Sequence, residues 1–247
     1  MTDPLRRLVD LPGVADAVAT AREAIDEVHR HPANRRGWAT AAAEASVRAA
    51  RASAAIAGGG TDIPEDGSVS DPVLAGALRA TESVGSLLPV WQRAPLQALA
   101  RLHVLAAADL VQPSEMDSLG RPRPVADNAA RLDFLARLVA GGTSVPGVVL
   151  SAVVHGELMA LSPFGTADGV VARAAARLTL IGTGLDSKGL TVPEVFYLRQ
   201  RNRYFQAVQG FSKGPPDGVA GWLLFCCEAV VAGAREAKGI ADSYSVA

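Results

Sequence analysis

Residues 155–177 read HGELMALSPFGTADGVVARAAAR. An apolar helical stretch runs into a tight loop, Ser162-Pro163-Phe164-Gly165-Thr166-Ala167-Asp168-Gly169, and the loop opens directly into a second helical stretch from Val170 to Arg177. A chain delivered to a helix N-terminus in this way gathers unpaired N–H groups and the positive end of the helix dipole at one point. That is a ready cradle for phosphate. The stretch therefore predicts a helix–loop–helix, with Gly165 and Gly169 as positions of close backbone approach.

The rest of the composition agrees with a helical reading. Apolar residues make up 49% of the 247-residue chain and aromatics only 5%, so the core has to be built from Ala, Leu and Val. Ala and Leu are strong helix formers, and the bias predicts an all-α fold. The length suits one domain with a terminal extension, residues 1–37 as the extension and 38–247 as the helical domain. A net charge of −1 supplies no global field for nucleic acid or an anionic membrane. The two cysteines, Cys226 and Cys227, are adjacent and give no disulfide framework, which points to a reducing compartment. The opening MTDPLRRLVDLPGVADA carries no secretion signal. The longest apolar run, Val219 to Ala234, is interrupted by Glu228 and is short of the roughly 20 residues a membrane span needs. A cytoplasmic location is the expectation.

Along the chain, a helix is expected over Val14–His29, then an Ala-rich helix from Gly37 to Ile56 stopped by Gly58-Gly59-Gly60. Residues 59–72 form a polar loop. Helices follow over 73–88 and 94–111, punctuated by Pro89 and Pro95, and over 128–140, where Leu132, Leu135, Leu138 and Val139 share a face. Between 111 and 127, Pro113, Pro122 and Pro124 and the lack of an alternating apolar run argue against a β-hairpin. Single helices are expected over Leu190–Val208 and Val219–Ala237. Gly182-x-Gly184 has no preceding strand and no third glycine, so it is not a dinucleotide fingerprint.

The order of residues from Ser162 to Arg173 resembles the core motif of Fic (Fido) domains, His-Pro-Phe-x-Asp/Glu-Gly-Asn-Gly-Arg-x-x-Arg. Such domains transfer AMP or related phosphate-bearing groups onto protein hydroxyls. Thinner likeness extends from about residue 40 to 240: Leu102-His103 in a helix, Gly120-Arg121-Pro122-Arg123 before the expected flap, FYLRQRNRYFQAVQ, and Trp222 with Phe225. The resemblance implies a helical bundle around the helix–loop–helix, a β-hairpin flap that docks the target as an added strand, and ATP with Mg²⁺ as co-substrate and metal. It also implies an inhibitory helix within residues 38–58, whose Ser/Thr-x-x-x-Glu-Gly motif corresponds to Ser53-Ala54-Ala55-Ile56-Ala57-Gly58. There the glutamate has become Ala57. Read without the resemblance, SAAIAG is a helix end in an alanine-rich chain.

Each motif position can be set against what the transfer needs. The general base is replaced by Ser162, whose hydroxyl titrates far above neutral pH, and losing a positioned base costs about 10²–10⁴ in rate. Thr166 replaces the acid that holds Mg²⁺ and brings no charge to a hard cation. Val170 replaces the first phosphate-neutralising arginine, removing what is usually the largest catalytic term. Asp168, in place of asparagine, is expected to cap the following helix through the N–H groups of Val170 and Val171, and to repel phosphate. Arg173 is retained. It could bind a phosphate, or form a surface ion pair with an acidic neighbour, Arg177 lying one turn further on the same face.

Other residues offer no catalytic set. His155 lies about two turns, roughly 10.5 Å, before Ser162, too far for a nucleophile–base pair, and reads as a hydrogen-bonded structural histidine. His29 and His31 lack metal spacing and read as exposed. Cys226 and Cys227 read as core. Arg199, Arg201 and Arg203 with Tyr197 and Tyr204 read as a solvated surface rather than an RNA site. No metal ligand set is found. The expectation is a degenerate Fic-like protein without a cofactor, acting as a scaffold on an unidentified protein partner, with homodimerisation through Trp91, Trp222 and Ala-rich faces. The alternative is an enzyme that still binds ATP with Mg²⁺, or another phosphorylated ligand, through Gly165, Gly169 and Arg173, and performs a divergent nucleotidyl- or phosphoryl-type transfer to protein.

Overall fold

The chain is all-α: in a computed structural model describing residues 3–125 and 127–244, no strand occurs among the described residues. The helices are α1 (Arg6–Val9), α2 (Val14–Arg30), α3 (Pro32–Arg36), α4 (Trp38–Ile56), α5 (Pro72–Glu82), α6 (Val84–Arg93), α7 (Pro95–Ala107), α8 (Asn128–Arg137), α9 (Gly147–Leu161), α10 (Asp168–Gly182), α11 (Pro193–Arg199), α12 (Arg201–Lys213) and α13 (Pro216–Ser243). A 3₁₀ turn spans Pro113–Ser118 and a π turn closes α8 at Leu138–Gly142.

At the centre lie α9 and α10, packed along one another. Every residue from Val148 to Gly156 in α9, and from Val170 to Leu180 in α10, is buried. A helix that is apolar almost all round is stable only when other helices surround it. One core region gathers Leu74, Trp91, Leu102, Leu158 and Leu178, and a second gathers Ile25, Tyr204, Trp222 and Leu223. A Cβ on Gly156 would stand 2.8 Å from the Phe211 ring and from Trp222 Nε1. Glycine is what lets α12 and α13 close against α9.

The long helix of the N-terminal extension is part of the second core. In α2, Val14, Val18, Ala21 and Ile25 are buried against α13 and its neighbours. His29 and His31, expected to be exposed, are half-buried tethers. His29 Nε2 lies 2.8 Å from Asp186 Oδ1, and His31 Nε2 lies 3.0 Å from Asp242 Oδ1.

Several boundaries differ from the sequence reading. The expected 73–88 helix is two helices split at Ser83, and Pro89 lies inside the second rather than ending it. The expected Leu190–Val208 helix is also two. The N–H groups of Leu190 and Thr191 are taken by the Asp186 carboxylate, so helix can begin only at Pro193, and the backbone breaks again at Gln200. α13 runs past the expected 219–237 to 28 residues, long and apolar enough by length and composition to cross a membrane. Its apolar side is core, and 56% of its most apolar stretch is buried in the bundle. Trp91 and Trp222 cannot provide dimer contacts, because both are fully inside. The Trp222 indole donates to the Ala152 carbonyl at 2.7 Å.

Candidate functional site

α9 ends at Ser162, whose backbone is left-handed (φ 43°), and the loop reaches α10 through Ala167, also left-handed (φ 54°). Only glycine adopts that region freely, and a residue with a Cβ is held there at a cost of about 1–2 kcal/mol. Phe164 pins the loop between the two strained points. Its ring stacks on His103 at 4.2 Å with a 7° tilt. His103 is held in turn by accepting from the Gly120 N–H at 2.9 Å, and burial pushes its pKa down.

Two of the loop's amides are already used. Asp168 accepts from Phe164 N at 2.9 Å and from Gly165 N at 2.7 Å, one through each carboxylate oxygen. It does not bond Val170 and Val171 as expected. α10 begins at Asp168 itself, with Ala167 in the cap position, and the first helical residue reaches upstream rather than down its own helix. Burial pushes the Asp168 carboxyl up, against the opposing pull of the two amides and of Arg123. That arginine comes from the extended segment 121–125. Its backbone N–H donates to the Pro163 carbonyl at 2.8 Å and its Nη2 to the Ser162 carbonyl at 2.7 Å. Where the resemblance implied a flap, the described residues between 111 and 127 hold the 3₁₀ turn and this segment lying against the loop; Ala126 lies outside them.

The remaining motif positions are spread apart. The Ser162 hydroxyl donates to the Met159 carbonyl at 3.2 Å. Thr166 and Gly169 are half-buried, Gly165 is exposed, and Val170 is in the core. Arg173 is not a surface residue, as one reading had it, but is 2% exposed. Its Nε donates to Ser53 Oγ at 2.8 Å, Nη2 to the Ser53 carbonyl at 2.9 Å, and Nη1 to the Tyr204 hydroxyl at 3.3 Å. Tyr204 is 2.8 Å from His155 Nε2. With the tyrosine oxygen accepting from Arg173, its own hydrogen is free to go to His155. Burial, reinforced by the Arg173 charge, holds the His155 pKa down to about 3, so the imidazole is neutral. It is the structural histidine expected.

Arg177 is buried as well and donates to the carbonyls of Thr191, at 2.8 Å, and Gly189. With Arg173, His155, Glu194 and Tyr197 it surrounds a cavity of about 20 Å³. Burial pushes the Glu194 carboxyl up, and Arg177 pulls it partly back. Cys226 and Cys227 are buried free thiols, pushed up by burial, to about 12 for Cys227. Among the described residues no three of His, Cys, Asp and Glu converge on a metal position. Ser53 and Arg123 are the contacts that sequence reading missed. Both residues sit in stretches the resemblance had marked, the inhibitory-helix segment and the run before the flap.

The helix–loop–helix enclosed by a helical bundle defines the class: this is a Fic-like fold. In particular, a solved structure of a Fic family protein from Desulfovibrio desulfuricans G20 aligns with a TM-score of 0.69, covering 92% of this chain and 74% of that one at 20% identity. At that identity the likeness is one of fold. No protein-family model matches the sequence, and no curated protein sequence matches it.

Proposed function

We propose that this Fic-like protein performs no AMP transfer and acts as a non-enzymatic interaction module. The observation that carries the reading is Asp168, whose carboxylate takes the Phe164 and Gly165 amides from inside. A phosphate seated there would face that carboxylate. Two like charges about 4 Å apart repel by about 4 kcal/mol at the effective dielectric near a protein surface, whereas a helix N-terminus attracts an anion by about 0.3–2 kcal/mol. Repulsion wins. Mg-ATP does not fit the residues present. Thr166 offers no carboxylate for the ion, Val170 is packed in the core, and Arg173 is committed to Ser53 and Tyr204.

Next to the closed loop is an apolar hollow of about 370 Å³, between Leu96, Leu99, Pro124 and Val125, with Phe164 in its wall. Val125 is 53% exposed. This hollow is the face offered to a protein partner. The test is incubation of the purified chain with labelled ATP, CTP, GTP or UTP and Mg²⁺ or Mn²⁺. No transferred label and an unchanged Tm are expected. Label on protein would overturn the reading, as would stabilisation of about 2.7 kcal/mol with nucleotide at a hundredfold excess over its Kd.

A further inference from the structure

We propose that the cleft at the C-terminal half of α10 binds a small aliphatic carboxylate. The cleft lies between α4, the α5–α6 corner and the 187–189 loop, and encloses about 550 Å³, within the 300–1,000 Å³ usual for small-molecule sites. Ala42, Val47, Leu78, Leu88 and Ile181 make its walls, and Trp38, 41% exposed, stands at the rim. The walls are aliphatic and suit a flexible hydrocarbon body.

The positive charge in the lining is concentrated on one side. Lys188 and Arg177 both face the cleft from the α10 and loop wall. The Lys188 ammonium donates to the Asn34 carbonyl at 2.8 Å, which leaves two of its three N–H bonds for another acceptor. Arg177 hydrogen-bonds only to carbonyls, although the buried carboxyls of Asp186 and Glu194 lie near it. The cleft's own carboxylate, Glu82, is exposed to water on the α5 side. An apolar body with one anionic head fits this layout, the head at Lys188 and the chain along Ile181 and Leu88. A neutral molecule of the same shape would leave the ammonium's free donors unused, and a hydrogen bond to a charged group is worth enough to matter at about tenfold or more in affinity.

Trp38 supplies the readout, because Trp91 and Trp222 are buried and do not line the cleft. The full chain is titrated with decanoate and, separately, with decanol, and tryptophan emission is followed. A saturable change with decanoate, at least about tenfold weaker with decanol, is expected. Lys188→Gln should lower decanoate affinity about tenfold and leave decanol unaffected. Ala42→Phe, which fills the cleft, should abolish both, and Trp38→Phe should remove the signal while decanoate still raises Tm. No saturable response to decanoate overturns the proposal. So does an equal response to decanol, or decanoate binding that survives both Lys188→Gln and Ala42→Phe. None of these outcomes bears on the loop at Asp168, so this proposal and the functional reading stand or fall separately.

Discussion

The two ends of α10 are built on opposite plans. At its N-terminus the groups beside the loop are engaged internally: the Phe164 and Gly165 amides by Asp168, Arg123 by the loop carbonyls, and Arg173 by Ser53 and Tyr204. About 14 Å further along the axis, Arg177 lines an open apolar cleft together with Lys188, whose ammonium has donors to spare. The fold supplies a phosphate cradle wherever a loop feeds a helix N-terminus. Whether the cradle is usable depends on which side chains are left over.

Arg173→Met strands the Ser53 and Tyr204 partners inside the core. Equilibrium denaturation should register a loss of about 3 kcal/mol, since hydrogen bonds to a buried charge are each worth about 1.5–3 kcal/mol. A loss below about 1 kcal/mol would mean the interior repacks easily and that Arg173 is not committed.

Asp168→Ala removes the shared acceptor of two loop amides and should cost about 2 kcal/mol. Sulfate stabilises folded chains generally by exclusion from their surface, and Asp168→Ala should show a larger rise of Tm with sulfate than the native chain. If native Tm already rises with sulfate to the same extent, the N-terminal end was never closed.

His155 sets a pH signature. Its folded pKa of about 3 lies below the ordinary value of 6.5, so between those values the unfolded chain binds the extra proton. Stability is therefore complete above about pH 6.5 and falls as pH falls, by up to about 1.4 kcal/mol per unit. Glu194, pushed up by burial, acts in the opposite sense above its ordinary 4.5. The difference between the native chain and His155→Gln isolates the histidine, and that difference should be constant above pH 7 and shift as pH falls below it. A difference independent of pH would remove the buried neutral imidazole from the account.

Ala167→Gly relieves a left-handed alanine at the loop's exit and should stabilise by about 1 kcal/mol, read as a rise in denaturation midpoint. An unchanged or lower midpoint would argue that the loop bears no strain.

What the sequence disclosed follows from the range of each interaction. The helix–loop–helix, the Gly58 stop and the buried His155 were legible because apolar runs, breakers and spacing act over a few residues. The Arg173 partner was not, because Ser53 lies 120 residues away, and no local pattern says that a polar helix face turns inward. Arg123 reaches the loop across 39 residues for the same reason. The Asp168 bonds were misplaced by a single position: with α10 starting at Asp168 rather than after it, the carboxylate faces back to Phe164 and Gly165. The split of the 190–208 stretch followed from Asp186 claiming two amides, again a tertiary decision overriding helix propensity.

The most direct test of the closed loop is the amide pair itself. In ¹⁵N-resolved spectra of the native chain, the Phe164 and Gly165 signals should stay in place while Mg-ATP and inorganic phosphate are each raised to millimolar concentration. A saturable displacement of both signals would place phosphate at those amides and contradict the account.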